Sequence, residues 1–199
     1  MGEKSEKKKK FILQRAKEVF CAKGYREVTM KDIVDACNIS RGGLYLYFSS
    51  TEELFLEVLR LDMAESDDVF AGKIGEHSTA TDILLLFLRE QKKELLRKKD
   101  SLSVATYEYL FSKRMPKSKN PLGRQFIAAS VMLQKLLETG IRQGEFICDD
   151  PEEAARNIMY VLSGLKIQSA AIGITGDEID RALAYSIQNL VAEDESEEG

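Results

Sequence analysis

Apolar residues in this chain return every three or four positions, and no stretch alternates as a half-buried strand would, so the expected fold is all-α. Ile12, Ala16, Val19 and Phe20 make one stripe between Glu6 and Lys23, and Gly24 follows as a stop, which places a first helix there. Thr29 precedes MKDIVDAC with Asp32 three residues on, an N-cap pattern with Asp in place of the usual Glu, so a second helix is expected to about Cys37. Asn38 tolerates the left-handed backbone of a tight turn, and Ser40 can cap a third helix of about seven or eight residues that holds Leu44 inward. Ser50 and Glu53 read as a full capping box for a fourth helix, with Leu54, Val58 and Leu61 inward and Arg60 outward.

Further helices are expected from Thr81 to Lys99, Leu102 to Lys113, Leu122 to Arg142, Pro151 to Ile172 and Asp177 to Ala192. No proline occurs before Pro116; Pro116, Pro121 and Pro151 all fall at joints, and Asp150 before Pro151 is an N-cap with proline at the first helical position. The pattern divides into a three-helix head over residues 1–48, a connecting helix over 50–66, a helical body over 67–192 and an acidic tail, EDESEEG at 193–199, whose composition predicts disorder.

Charge sharpens this division. The net charge is −4, yet residues 1–48 hold eleven Lys/Arg against six Asp/Glu. A basic front on an acidic body fits a polyanion partner for the front alone, or simply a solvated helix face with a frayed lysine-rich start. No run approaches the roughly 18 apolar residues of a membrane span, and MGEKSEKKKKF lacks the apolar run of a signal peptide, so a cytoplasmic protein without a membrane partner is expected. Cys21, Cys37 and Cys148 are widely separated and expected to be reduced; nothing calls for a cofactor or metal, since His77 is the only histidine and no Cys/His cluster exists.

A helix of eight residues, a short turn and a serine-capped second helix is the layout of a helix-turn-helix, which puts the N-terminal end of its second helix into the major groove of DNA. Arg41 is the basic side chain there, able to bond a guanine's O6 and N7 together. In an exposed helix interior Gly42 and Gly43 would each cost about 0.8 to 1 kcal/mol against alanine. Without Cβ atoms, though, the leading turn can bring its backbone close to bases or phosphates. Leu44 and Phe48 share a face and belong in the core. Tyr45 and Tyr47 flank that face, either as phosphate-contacting hydroxyls, with Ser40, or as half-buried packing residues. Thr29 and Lys31 open the second helix, whose N-terminus attracts phosphate. Lys7 to Lys10 reach DNA or form a solvated tail.

The stretch from Phe11 through FILQRAKEVFCAKGYREVTMKDIVDACNISRGGLYLYFSSTEELF resembles the DNA-binding head of the TetR family of bacterial transcriptional regulators. The match rests on Ile12, Ala16, Phe20, Gly24, Tyr25, Thr29, Asp32, Ile33, Ala36, Ile39, Ser40, Gly42, Leu44, Tyr45, Phe48, Glu53 and Leu54. The resemblance implies a homodimer whose paired recognition helices read a palindromic operator in double-stranded DNA, and a body that binds a small-molecule effector. It places Arg41, Gly42, Gly43 and Leu46 toward bases, and Thr29, Lys31, Tyr45 and Tyr47 toward phosphates. Asn38 stands where the family usually has glycine, and Ser49 and Thr51 where it commonly has lysine, so weaker and less salt-dependent binding is expected unless Lys7 to Lys10 compensate.

In the body, the helix from Pro151 carries Ile158, Leu162 and Leu165 on one stripe, and the last helix carries Ile179, Leu183 and Ile187. These six form either the four-helix interface that the resemblance implies or the core of the single chain. Phe87, Tyr107, Phe111, Phe126, Met132 and Tyr160 are effector-site candidates, with core packing as the competing account. The functional expectation is a ligand-responsive repressor and no enzyme. The alternatives are a head that binds another protein, or a helical-bundle enzyme with an incidental helix-turn-helix.

Overall fold

The computed structural model describes residues 2–71, 73–75, 77–97, 101–113 and 120–190, without the side chains of 66–71. The expected disordered tail lies outside the described residues, as does Pro116. Among the described residues there are nine α-helices and no strand: α1 (Glu3–Lys23), α2 (Met30–Cys37), α3 (Arg41–Tyr45), α4 (Thr51–Ala71), α5 (Ala80–Leu96), α6 (Ser103–Ser112), α7 (Pro121–Gln143), α8 (Pro151–Ala171) and α9 (Gly176–Ile187). The all-α expectation holds.

The chain forms two compact units, Met1–Ala71 with Arg97–Arg114, and Gly72–Leu96 with Met115–Gly199. A head ending near residue 48 is therefore too small a description, because α4 and also α6 pack with α1–α3. Two residues explain the recruitment of α6. Tyr109 is buried against Tyr25 and Phe55, ring centroids 4.9 and 5.4 Å away, and its hydroxyl donates to Glu52 Oε1 at 3.0 Å. Glu108 accepts from backbone N–H groups at the end of α1. The remaining core of this unit is the predicted one: Ile12, Ala16, Phe20, Ile33, Leu44, Phe48, Leu54 and Val58 are all buried.

Local starts and stops follow sequence chemistry with two exceptions. Thr29 and Asp32 form the reciprocal cap of α2, Ser40 Oγ accepts from Gly43 N at 3.1 Å, and Asp150 Oδ1 accepts from Glu153 N at 3.0 Å before Pro151. At α4, Ser50 Oγ accepts from Glu53 N at 3.1 Å, but the Glu53 carboxylate returns to the N–H and hydroxyl of Ser49, at 2.7 and 2.6 Å, one residue earlier than a capping box requires. The second exception is α3, which has five helical residues rather than seven or eight. Two glycines give it little helical propensity, and Tyr47 N turns in to Leu44 O at 3.0 Å, tightening the backbone out of the α-helix.

In the second unit α7 packs on α8, α5 packs on both, and α9 packs on α8 and α5. Glu145, just past the Gly144 stop of α7, accepts from Ala80 N and Thr81 N at 3.2 and 2.8 Å and so closes the start of α5. The six residues expected on either a dimer interface or the core of the single chain lie as follows. Ile158, Leu162, Leu165, Ile179 and Leu183 are all buried within the single chain, and Ile187 is half-buried. Residues already covered by their own chain have no apolar area left to give a partner. Their stripe is the core side of each helix.

Candidate nucleic-acid interface

The turn between α2 and α3 is made by Asn38 in the left-handed conformation, φ 49° and ψ 51°. Asn can occupy this region because its short polar side chain offsets the steric cost that excludes most residues. The turn delivers Ser40 to cap α3 and buries Leu44 completely, which fixes the rotation of the helix. The opposite side then faces outward. Arg41 is exposed and makes no hydrogen bond or ion pair with any described residue. Leu46 is 83% exposed and Tyr45 46%, while Tyr47 is half-buried. A leucine so open has no role in the head's own packing.

The two glycines separate on close inspection. A Cβ on Gly42 would meet nothing within 4 Å, so nothing inside the protein demands glycine there. A Cβ on Gly43 would stand 3.1 Å from Ser40 Oγ, the capping oxygen, which gives Gly43 an internal reason as well.

The start of α2 is less free than its sequence suggests. The Thr29 hydroxyl donates to Asp32 Oδ2 at 2.5 Å and accepts from Asp32 N at 3.3 Å, and Thr29 N also donates to Oδ2 at 2.8 Å. Lys23 Nζ pairs with Asp32 Oδ1 at 2.5 Å. Hydrogen bonds from Lys23 and then Thr29 hold the Asp32 carboxyl well below the usual carboxylate range. A capping carboxylate and a phosphate compete for one helix N-terminus, so Thr29 is committed to the fold, and exposed Lys31 is the free phosphate-seeking group of this turn.

The lysine run also changes meaning. Residues 7–10 lie inside α1, and Lys9 is tied to Glu57 at 3.1 Å with its ammonium 5.8 Å from the Phe48 ring centre. Lys7 pairs with Glu3 at 2.6 Å and Lys8 lies 5.6 Å from the Phe11 ring centre. Lys9 thus braces α1 against α4. At the start of α4, Glu53 is engaged by Ser49 and Glu52 by Lys113 at 2.9 Å, so acidic groups occupy the turn where lysines were missed.

The effector candidates divide between the two units. Tyr107 and Phe111 stack in the first at 6.1 Å, with Phe111 76% exposed. In the second, Phe126 and Tyr160 pair at 5.0 Å, Tyr160 is 57% exposed and Met132 36%, and Phe87 is buried in the core. The sequence reading overlooked Lys166 on α8, beside Leu162 and Leu165. Burial pulls its ammonium below the lysine range, opposed by the field of Glu94. His77 is exposed in a turn, and the described residues hold no group of three or more metal-ligating side chains.

Residues 12–58 match the family model for bacterial regulatory proteins of the tetR family, and residues 83–180 match the tetracyclin repressor-like C-terminal domain. The HTH-type transcriptional regulator YfiR of Bacillus subtilis is 35% identical over 145 residues, 72% of this chain and 70% of its own. The chain belongs to the TetR family of transcriptional regulators. Its fold is shared with a TetR regulator of Haloarcula marismortui, TM-score 0.80 at 18% identity, covering 94% of this chain and 100% of that one. A transcriptional regulator of Saccharomonospora viridis, solved in complex with choline, gives 0.77 at 21% identity over the same shares. As a TetR-family regulator the chain carries a helix-turn-helix DNA-binding head, in the unit whose geometry is described above. No described helix is long and apolar enough to cross a membrane.

Proposed function

We propose that this TetR-family regulator is a cytoplasmic repressor that binds a palindromic operator as a homodimer and releases it when a small molecule binds the second unit. The observation that carries the reading is the outward side of α3, where unpaired Arg41, bare Gly42 and open Leu46 lie together without any role in the head's own packing. Arg41 is the base reader, Leu46 an apolar contact suited to a thymine methyl, and Lys31, Ser40, Tyr45 and Tyr47 hold phosphates. Ser40 Oγ accepts the α3 cap bond but keeps its own proton to donate.

Homodimerisation is supported by a second stripe on α8, opposite in character to the buried one. Tyr160, Gly164, Ile167 and Ala171 recur at helical spacing and are all exposed, with open space around Gly164; Tyr185 on α9 is 75% exposed. An apolar stripe with a small residue at its centre suits close, symmetric packing against a second copy. The effector role draws support from the Phe126–Tyr160 pair and Lys166 in the second unit, and from the Saccharomonospora regulator that holds choline.

The test is selection of bound DNA from a random duplex pool, then a compound screen for release from the selected site. A palindrome with half-sites about 34 to 36 Å apart is the expected product. Failure of the protein to enrich any sequence, even at low salt where the phosphate contribution is greatest, refutes the reading.

A further inference from the structure

The α6 helix is reached from α5 and left toward α7, both in the second unit, yet it packs within the first. Its hold there is specific. Glu108 Oε2 accepts from Tyr25 N at 2.7 Å and from Arg26 N at 3.0 Å, two consecutive backbone donors in the loop between α1 and α2. Gly24 makes the approach feasible: its φ is +77°, and a Cβ there would stand 2.5 Å from Oε2 and 2.9 Å from Cδ. The carboxylate therefore rests where a side chain would otherwise be. One residue on, Tyr109 reaches Glu52 in the first turn of α4, and Lys113 closes on the other oxygen of the same carboxylate at 2.9 Å. Lys113 and then Tyr109 hold the Glu52 carboxyl below its ordinary range, while burial and Glu52 push the Tyr109 phenol up to about 12.

We propose that Glu108 is a positioning residue for DNA binding: through the Tyr25 and Arg26 amides it fixes the loop that sets where α2 starts, and hence how α3, packed on α2, presents Arg41. The loop runs from Gly24 to Thr29, and its far end is the cap of α2. A loop of six residues with no anchor would let the α2 start shift against α3; two charge-assisted bonds from another segment remove that freedom. Because the anchor comes from α6, operator affinity depends on a helix outside the helix-turn-helix. This inference rests on the DNA-reading role assigned to α2 and α3 above.

The experiment compares wild type, Glu108→Ala and Glu108→Gln on two duplexes of equal length, the one selected by the wild type and an unrelated one, by fluorescence anisotropy. Amide exchange at Tyr25 and Arg26 is read alongside by NMR. In Glu108→Ala both amides lose protection and affinity for the selected duplex falls about tenfold, the scale of coupling between distinct sites. Affinity for the unrelated duplex stays as in the wild type, since no phosphate-binding side chain has changed. Glu108→Gln, which keeps an accepting oxygen and lacks the charge, recovers part of the selective affinity; an equal loss in both variants with the two amides still protected in Glu108→Gln would assign the effect to charge and overturn positioning. So would selective affinity in Glu108→Ala within about twofold of wild type, or an equal drop on both duplexes, the mark of a lower folded fraction. If the wild type itself selects no sequence, the DNA-reading role fails and positioning fails with it; if it selects and Glu108→Ala matches it, only the positioning role falls.

Discussion

Replacing Gly42 by alanine should move stability and DNA binding in opposite directions. Gly42 is helical, in the first turn of α3, and a methyl placed on it has no neighbour within 4 Å. The substitution therefore creates no clash inside the protein, and it removes the backbone entropy that glycine loses on folding, up to about 1 kcal/mol. In a chain of this size that raises the melting temperature by up to about 2 to 4 °C. At the DNA the same methyl projects from the turn that carries Arg41 and holds the backbone off the base edges. The expected loss is about 1 to 3 kcal/mol of operator binding, the cost of one mismatched base pair. Thermal denaturation followed by circular dichroism reads the first quantity, and anisotropy titration on the selected operator reads the second. A protein that is more stable and binds its operator unchanged would refute the placement of Gly42 against DNA. Gly43 is the poorer probe, because its methyl would press on the Ser40 oxygen at 3.1 Å and disturb the cap.

Arg41→Ala should relax sequence preference at one operator position by about 1 to 3 kcal/mol, whereas Lys31→Ala should weaken all duplexes alike and lower the salt slope by about 1; binding to an operator variant series at several salt concentrations separates the two. Ile158→Ala should cost about 2 to 5 kcal/mol of folding stability in urea melts, because it opens a cavity in a closed core. Ile167→Asp should leave the fold intact and turn a dimer into a monomer by light scattering, and a monomeric wild type would remove the basis for that expectation. Glu57 is held down to about 2 by hydrogen bonds from Arg60 and then Lys9. A folded value below the unfolded one of about 4.3 means its stabilisation is complete above that pH and is lost as pH falls toward 2. Glu57→Gln should flatten the acid limb of the stability profile in that window, and an unchanged profile would show that the pair contributes nothing.

The head was legible because short-range chemistry dictates it. Thr29 with Asp32, Asn38 at the turn, Ser40 before α3 and Leu44 facing inward are decided within four or five residues, the range over which a cap or a helical turn acts. Its limits appear where two demands fall on one group. Thr29 looked like a phosphate donor by type and place, but its hydroxyl proton is already given to Asp32. Lys9 looked like one of four equivalent lysines until Glu57 and Phe48 claimed it.

By itself the sequence determined the all-α class, the helix-turn-helix and the inward side of α3, since periodicity and capping are local properties of the chain. Only the tertiary structure decided which apolar stripe of α8 is core and which is free. Ile158–Leu162–Leu165 and Tyr160–Gly164–Ile167–Ala171 are both helical stripes, and burial by α7 and α9 selects between them. It alone decided too that α6 belongs with the head, because the bonds from Tyr25 and Arg26 to Glu108 span more than eighty residues of sequence, a distance over which no local pattern carries information.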